Sequence, residues 1–205
     1  MRKCCGAGLA DRRPALAIML KIPRPGRVKT RLARDIGTVP AAWWMRHQTA
    51  RVIRRLARDP RWRLVLAVTP DAEGMASRAL PPLPRLPQGG GDLGQRMAQV
   101  LRALGPGRAA LIGADIPGLR PHHIVAAFHA LGDCDAVLGP AADGGFWLVG
   151  LKHPDRQPTG LFAGTRWSTA HALADTRPTL PGRVAVLDDV LADVDGLADL
   201  GQARP

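Results

Sequence analysis

Five cations, Lys21, Arg24, Arg27, Lys29 and Arg31, crowd one short stretch of the chain, Lys-Ile-Pro-Arg-Pro-Gly-Arg-Val-Lys-Thr-Arg-Leu at residues 21–32. Arginine offers a planar fork that fits phosphate oxygens and lysine a compact point charge, so the chemistry such a stretch supports is capture of a phosphorylated ligand. Pro23 and Pro25 interrupt any helix, and Gly26 lets the backbone turn tightly and come close to a ligand. The stretch follows an apolar run, Ala15–Leu20, that reads as a buried strand. A strand leading through such a loop into a helix start is a common phosphate cradle. A solvated basic loop in an arginine-rich chain fits the same residues, and the loop alone does not choose.

The carboxylates come next. Asp115 lies in Gly-Ala-Asp-Ile-Pro-Gly-Leu, just past the apolar run Ala109–Gly113. A carboxylate there is placed to hold a divalent metal against a diphosphate, because Mg²⁺ takes only one or two protein carboxylates and completes its shell with phosphate and water. Capping a turn before Pro117 is the structural alternative. Asp143, in Gly-Pro-Ala-Ala-Asp-Gly-Gly-Phe-Trp, is a second candidate, although Asp-Gly between two apolar runs is also a hairpin signal. Asp188, Asp189, Asp193 and Asp195 form an acidic patch near the C-terminus, expected to be mostly solvated.

The segment Gln88-Gly-Gly-Gly-Asp-Leu-Gly-Gln-Arg-Met97 joins three glycines to a helix start whose free amides suit an anion or nucleotide, without completing a Walker motif. Trp147 sits in an apolar run and reads as core; Trp167, beside Ser168 and Thr169, is the better ligand platform. His122 and His123 follow Pro121 at a helix start and read as surface residues. No serine or cysteine has the context of a nucleophile. Cys4, Cys5 and Cys134 have neither metal-ligand spacing nor a disulfide framework, which suits a reducing compartment.

These residues need a scaffold. Apolar runs at Ala15–Leu20, Leu64–Val68, Ala109–Gly113, Ala136–Gly139, Phe146–Leu151 and Val184–Leu187 read as strands. Helical patterns lie between several of them. They run from Ala41 to Arg58, from Asp92 to Leu104 with Asp92 as cap, and from Pro121 with Ile124, Val125, Phe128 and Leu131 inward. Strands alternating with helices predict one α/β domain over residues 14–200, with a mainly parallel sheet covered on both faces. Residues 1–13 read as a flexible extension. In such sheets ligands sit beyond the carboxyl ends of the strands, which nominates the loops at 21–31, 88–92, 114–119 and 140–145.

Composition narrows the classes. The chain has 205 residues, 46% hydrophobic and 22% charged, as expected of a globular domain. Its net charge of +12 comes from 25 Arg and 4 Lys scattered along the chain, without tyrosine and with few aromatics. That pattern argues against a nucleic-acid binder built on stacking. No apolar run approaches the roughly 20 residues needed to span a bilayer, and the N-terminus makes a poor signal peptide. A cytoplasmic protein without a membrane partner is expected.

Taken together, Lys21–Leu32, Gln88–Met97, Gly113–Leu119, Gly139–Leu151 and the stretch from Phe162 to Trp167-Ser168-Thr169 resemble a bacterial glycosyltransferase-like family, domain of unknown function 2064. The five segments follow the family's order and span about 15 to 200. The resemblance implies a GT-A-like, Rossmann-like three-layer sandwich of the nucleotide-diphospho-sugar transferase superfamily. It implies a transferase using a nucleotide-sugar, an unidentified small-molecule acceptor and Mg²⁺ or Mn²⁺. A guanylyltransferase-like enzyme using a nucleoside triphosphate is the alternative, since the 21–32 loop and Asp115-Ile116-Pro117 also resemble such nucleotidyltransferases. A catalytically inactive nucleotide- or RNA-binding protein is a third. By the same resemblance Lys21, Arg24, Gly26, Lys29 and Arg31 would surround the donor, and Gly89, Gly90, Asp92 and Gly94 would shape the base or ribose pocket. Asp115 would be the main metal ligand, with Asp143 near the acceptor or metal; Phe146, Trp147 and Trp167 would line the acceptor side. Two departures stand out. Gln95 replaces a usual acid, and Asp193-Val-Asp195-Gly lacks the usual Thr-Pro-Glu continuation, which weakens Asp195 as a ligand.

Overall fold

A computed structural model describes residues 13–202. Apart from Arg13, the expected N-terminal extension lies outside the described residues, as do Cys4 and Cys5. The chain runs β1 (Ala15–Lys21), α1 (Thr30–Ile36), α2 (Thr38–Leu56), β2 (Arg63–Thr69), α3 (Asp71–Ala76), β3 (Arg85–Pro87) and α4 (Leu93–Ala103). It continues through β4 (Ala109–Gly113), α5 (Pro121–Asp133), β5 (Ala136–Pro140), β6 (Phe146–Leu151), α6 (Ala172–Thr176), β7 (Val184–Val186) and α7 (Leu197–Gln202). All six expected strands form within a residue or two of their predicted ends. The short β3 does not announce itself, because three residues are too few for a period to show.

The seven strands make one sheet in the order β3-β2-β1-β4-β6-β5-β7. Every pairing is parallel except those of β6, which runs antiparallel to both β4 and β5. The expected mainly parallel α/β sandwich is what forms. Alternation along β1 divides the interior. Leu16, Ile18 and Leu20 pack under Met45, Val52 and Leu56 of α2 and Ile124, Phe128 and Leu131 of α5. Ala15 and Ala17 face Met97, Val100 and Leu101 of α4.

Helix termini follow local chemistry. Asp92 caps α4 as predicted, its Oδ1 accepting from the Gln95 amide at 2.8 Å while Gln95 Oε1 accepts from the Asp92 amide at 3.0 Å. Gln95 thus has a structural task, closing a capping box. His123 corrects an expectation, because it is buried at 5% exposure and its Nδ1 accepts the Arg120 amide at the start of α5. The amide left over at the helix start needs an acceptor, and the ring supplies it.

The topology fixes where a ligand goes. From β1 the chain moves outward to β2 and β3, then returns to the other side of β1 as β4. The crevice past the carboxyl ends of β1 and β4 is therefore the point where the winding reverses.

Candidate active site

Lys29 and Asp115 meet at that crevice. Lys29 ends the β1 loop and is the residue before α1, with left-handed φ 46° and ψ 51°. Gly26 turns the same loop with φ +74°, and an added Cβ would meet open space. Asp115 begins the loop after β4. The Lys29 Nζ lies 2.7 Å from Asp115 Oδ2, 3.0 Å from Asp195 Oδ1 and 3.4 Å from Asp193 Oδ2. Its side chain is only 8% exposed, against 27% for Asp115 and 42% for Asp195. Arg31 reaches Asp195 Oδ2 at 2.8 Å.

Burial alone would lower the Lys29 pKa; the attraction of Asp115, then of Asp193 and Asp195, outweighs it and raises the ammonium above ordinary lysine. Burial pushes the Asp193 carboxyl up against the pull of Lys29, with Asp115 and Asp195 adding to the rise. Asp195 feels burial as well, yet Lys29 and Arg31 hold it below the usual range. The split follows from deeper burial of Asp193 and from Arg31, which acts on Asp195.

Asp193 and Asp195, read from the sequence as part of a mostly solvated acidic patch, join this cluster in the structure. Their i, i+2 spacing was a signal, since in an extended segment both project to one side. Val194 between them is 2% exposed and packs against Leu32 and Ala41. The preceding residues are fastened to the β5–β6 turn by Leu191 N–H to Pro140 O at 3.2 Å and Ala142 N–H to Leu191 O at 3.0 Å. The Trp147 indole adds a bond to the Asp189 carbonyl at 3.1 Å.

Two cavities meet at this cluster. One, of about 380 Å³, is basic and is lined by Lys21, Arg27, Lys29, Arg31, Asp115 and Asp195. The other, of about 310 Å³, has Asp115, Asp143, Asp193 and Asp195 at its polar end and Phe146, Trp147, Trp167, Leu93 and Met97 among its apolar walls. Asp143 does make the expected hairpin turn, its Oδ1 accepting the Gly145 amide at 2.9 Å, and it also faces this second cavity. Trp147 is buried, as its apolar strand implies, with its ring against Gly139, while still contributing to the wall. Trp167 contacts Phe146 and Phe162 edge-on, at centroid distances of 6.1 and 6.2 Å.

Other predicted residues stand apart from the two cavities. Arg24 pairs with Glu73 at 2.6 Å. The Gly89 amide is held by Asp71 Oδ2 at 3.2 Å, Gly90 is exposed, and Asp92 caps α4. Gly94 is buried where a Cβ would lie 2.8 Å from both Phe162 Cβ and Trp167 Cζ2, so it shapes the aromatic wall from behind.

Three carboxylates from β4's loop and the C-terminal segment present oxygens around a single point that already carries positive charge. Among the described residues, the group whose possible ligand atoms all lie within 4.8 Å of one another is His122, His123 and Asp189; the three aspartates gather instead around the Lys29 ammonium. The His123 tautomer weighs against that second cluster. With Nδ1 accepting the Arg120 amide, the proton of the neutral ring sits on Nε2, which then donates rather than ligates. Burial foremost, then the neighbouring His122, lowers the His123 pKa and favours that neutral ring.

The aromatic wall has its own support. Arg166 grips Asp175 through Nε at 2.8 Å, Nη2 at 2.9 Å and its amide at 3.1 Å, closing the loop that carries Trp167 onto α6. Hydrogen bonds from the Arg166 side chain, then from its backbone, lower the Asp175 pKa to about 2. A depressed acid contributes stability above its ordinary value of 3.8 that is lost as pH falls toward 2. The melting-temperature gap between wild type and Asp175→Asn should therefore be constant at neutral pH and close across that acid window. A gap that persists to pH 2 would refute the bracket.

Comparison with known proteins matches this geometry to a family. A protein from Desulfovibrio desulfuricans G20, assigned provisionally as a nucleotide-diphospho-sugar transferase, shares 31% identity and a TM-score of 0.79, over 91% of this chain and 84% of that one. Rv0371c of Mycobacterium tuberculosis H37Rv, in complex with manganese, shares 18% identity and a TM-score of 0.55, over 93% and 97% of the two chains. Molybdopterin-guanine dinucleotide biosynthesis protein A from Archaeoglobus fulgidus shares 15% identity and a TM-score of 0.52, over 92% and 96%. The latter two likenesses concern the fold alone. None of the curated proteins matches this chain. Residues 52–169, which hold Asp115, Asp143, Phe146, Trp147 and Trp167, match the family model described as "Uncharacterized protein conserved in bacteria (DUF2064)", and the chain belongs to that family.

Proposed function

We propose that the protein is a cytoplasmic, divalent-metal-dependent transferase that takes a nucleotide donor, a nucleotide-sugar in preference to a nucleoside triphosphate. The observation that carries the reading is the Asp115–Asp193–Asp195 cluster at the junction of a basic and an aromatic cavity. The basic cavity, with Lys21, Arg27, Lys29 and Arg31, takes the donor diphosphate. The base or ribose would lie on the flank formed by Gly89, Gly90 and Asp92, outside both cavities, while Gly94 backs the aromatic wall. The aromatic cavity, with Asp143, Phe146, Trp147 and Trp167, takes the transferred group and the small-molecule acceptor. Sugar rings present apolar faces that aromatic walls accommodate, which favours glycosyl transfer over nucleotidyl transfer.

Asp115, Asp193 and Asp195 would hold the metal, which when bound neutralises charge on the departing diphosphate. The manganese complex of Rv0371c supports a metal in this fold. Arg31 and Lys29 add positive charge at the same place, and the two cavities align donor and acceptor, so catalysis rests on positioning and electrostatics rather than covalent chemistry. A triphosphate donor is kept as a second reading, because the basic cavity would take its phosphates as readily as a diphosphate. No helix among the described residues is long and apolar enough to cross a membrane.

Thermal stabilisation with Mg²⁺ or Mn²⁺ across nucleotide-sugars and nucleoside triphosphates tests the proposal. A ligand at 100 times its dissociation constant contributes about 2.7 kcal/mol, an easily visible shift. Metal-dependent stabilisation by one nucleotide-sugar is expected. Selective stabilisation by a triphosphate would move the assignment to nucleotidyl transfer, and no metal-dependent response to any nucleotide would refute both.

A further inference from the structure

Among the described residues, Lys29 is the one cation that all three carboxylates share. Its Nζ lies within 3.4 Å of an oxygen from each, and its side chain is nearly buried. Formally, three negative charges face two positive ones, Lys29 and the Arg31 guanidinium on Asp195, which leaves an excess of one. An ammonium and a divalent cation cannot share that point, because at contact distance their repulsion would cancel much of what the carboxylates offer either. The backbone is consistent with a poised residue. Lys29 sits in the left-handed region that a non-glycine residue adopts only at a cost of about 1 kcal/mol, and surrounding contacts must hold it there.

The exit is also visible. Lys29 lines the basic cavity, whose other cations, Lys21, Arg27 and Arg31, surround about 380 Å³ of open space. A lysine leaving the carboxylates would find itself among donor phosphate oxygens, with Arg31 still on Asp195 to keep that acid in place.

We propose that Lys29 is the built-in counter-ion of the carboxylate cluster, and that it moves from the acids to the donor diphosphate as a divalent cation takes its place. This rests on the reading of Asp115, Asp193 and Asp195 as the metal ligands. Its consequence is cooperativity. Metal alone must strand Lys29 without a partner, and nucleotide alone must pull Lys29 from three acids; together each supplies what the other removes. By linkage the coupling is reciprocal, so nucleotide tightens metal binding by the factor with which metal tightens nucleotide binding.

Two measurements on the whole chain test it. The first uses wild-type protein, with Mn²⁺ binding followed by the loss of the free-ion electron paramagnetic resonance signal. Lysine acylation rates are read by mass spectrometry at the same time. The chain has four lysines, and Lys152, which donates to the Gly132 carbonyl at 2.7 Å, serves as an internal reference. Lys29 labelling should be slow without metal and rise about fivefold at saturating Mn²⁺. It should fall again when a nucleoside diphosphate is added with the metal. The second compares Mn²⁺ affinity without nucleotide. Lys29→Met should bind about tenfold more tightly than wild type and lose most of the nucleotide-induced gain. Bound Mn²⁺ with an unchanged Lys29 labelling rate, or a folded Lys29→Met with equal or weaker affinity, overturns the exchange while leaving the metal site standing. Failure of Mn²⁺ to bind with or without nucleotide overturns the metal site and the exchange together. Should Lys29→Met fail to fold, the wild-type labelling decides alone.

Discussion

Asp115→Asn should abolish metal-dependent stabilisation by the nucleotide donor while the fold survives. The substitution keeps the side chain's shape and removes the carboxylate closest to Lys29, at 2.7 Å. Asp193 and Asp195 remain on the lysine, so the cluster is not left with an uncompensated buried ammonium. Backbone packing around the position is unaffected, because the neighbouring Ala114 and Ile116 carry the core contacts. In wild type, saturating donor and metal should raise the melting temperature by roughly 5–10 °C. The variant should show nearly the same melting temperature without ligand and little of that rise with it. Where transfer or slow donor hydrolysis is measurable, the rate should fall by about 10²–10³-fold, the usual consequence of losing a major electrostatic contributor at the reacting centre. A variant with wild-type metal-dependent stabilisation would remove Asp115 from the site.

The second large effect concerns the fold beside the site. Gly144→Ala should lower stability by about 3 kcal/mol, seen as a fall of roughly 6–12 °C in melting temperature. Gly144 follows Asp143 in the β5–β6 turn with φ +85°, a conformation costly for any residue with a Cβ. That Cβ would also run into the backbone of Ala170, whose Cα lies 2.6 Å from its ideal position and whose carbonyl oxygen is closer still. Backbone cannot rotate away as a side chain can. The Gly144 carbonyl meanwhile accepts the Leu173 amide at 3.0 Å, tying the turn to α6. Gly26→Ala is the control, since φ is positive there as well but the added atom meets nothing within 4 Å. Gly26→Ala should therefore show only the conformational part, about 1 kcal/mol. Equal losses in the two variants would mean that contact with Ala170 contributes nothing.

Much of this architecture was legible in the sequence. Strands such as Ala109–Gly113 and Phe146–Leu151 are short apolar runs bounded by Gly, Pro and Asp, and they form with the boundaries expected. The α4 start was readable because an N-cap is local chemistry, settled by Asp92 and the amides next to it. Asp115 was nominated by a rule tied to strand ends in parallel sheets, and the strand order places it at the reversal point.

What escaped the sequence depends on contacts between distant residues. Asp193 and Asp195 are more than 160 residues from Lys29, and their local composition is that of a solvated acidic patch. They reach the Lys29 cluster only because Val194 is buried and Leu191 docks on the β5–β6 turn. His123 looked like a surface residue since nothing nearby in sequence shows that Trp147 closes over it, 5.6 Å away. The antiparallel insertion of β6 between β4 and β5 is likewise invisible to periodicity, which reports burial of a strand but not its neighbours. Local propensities and capping, which act over a few residues, made the elements, the basic loop and Asp115 readable. The meeting of one lysine and three aspartates at a point is long-range packing, set where the segment around Leu191–Val194 docks on the β5–β6 turn and against α1 and α2.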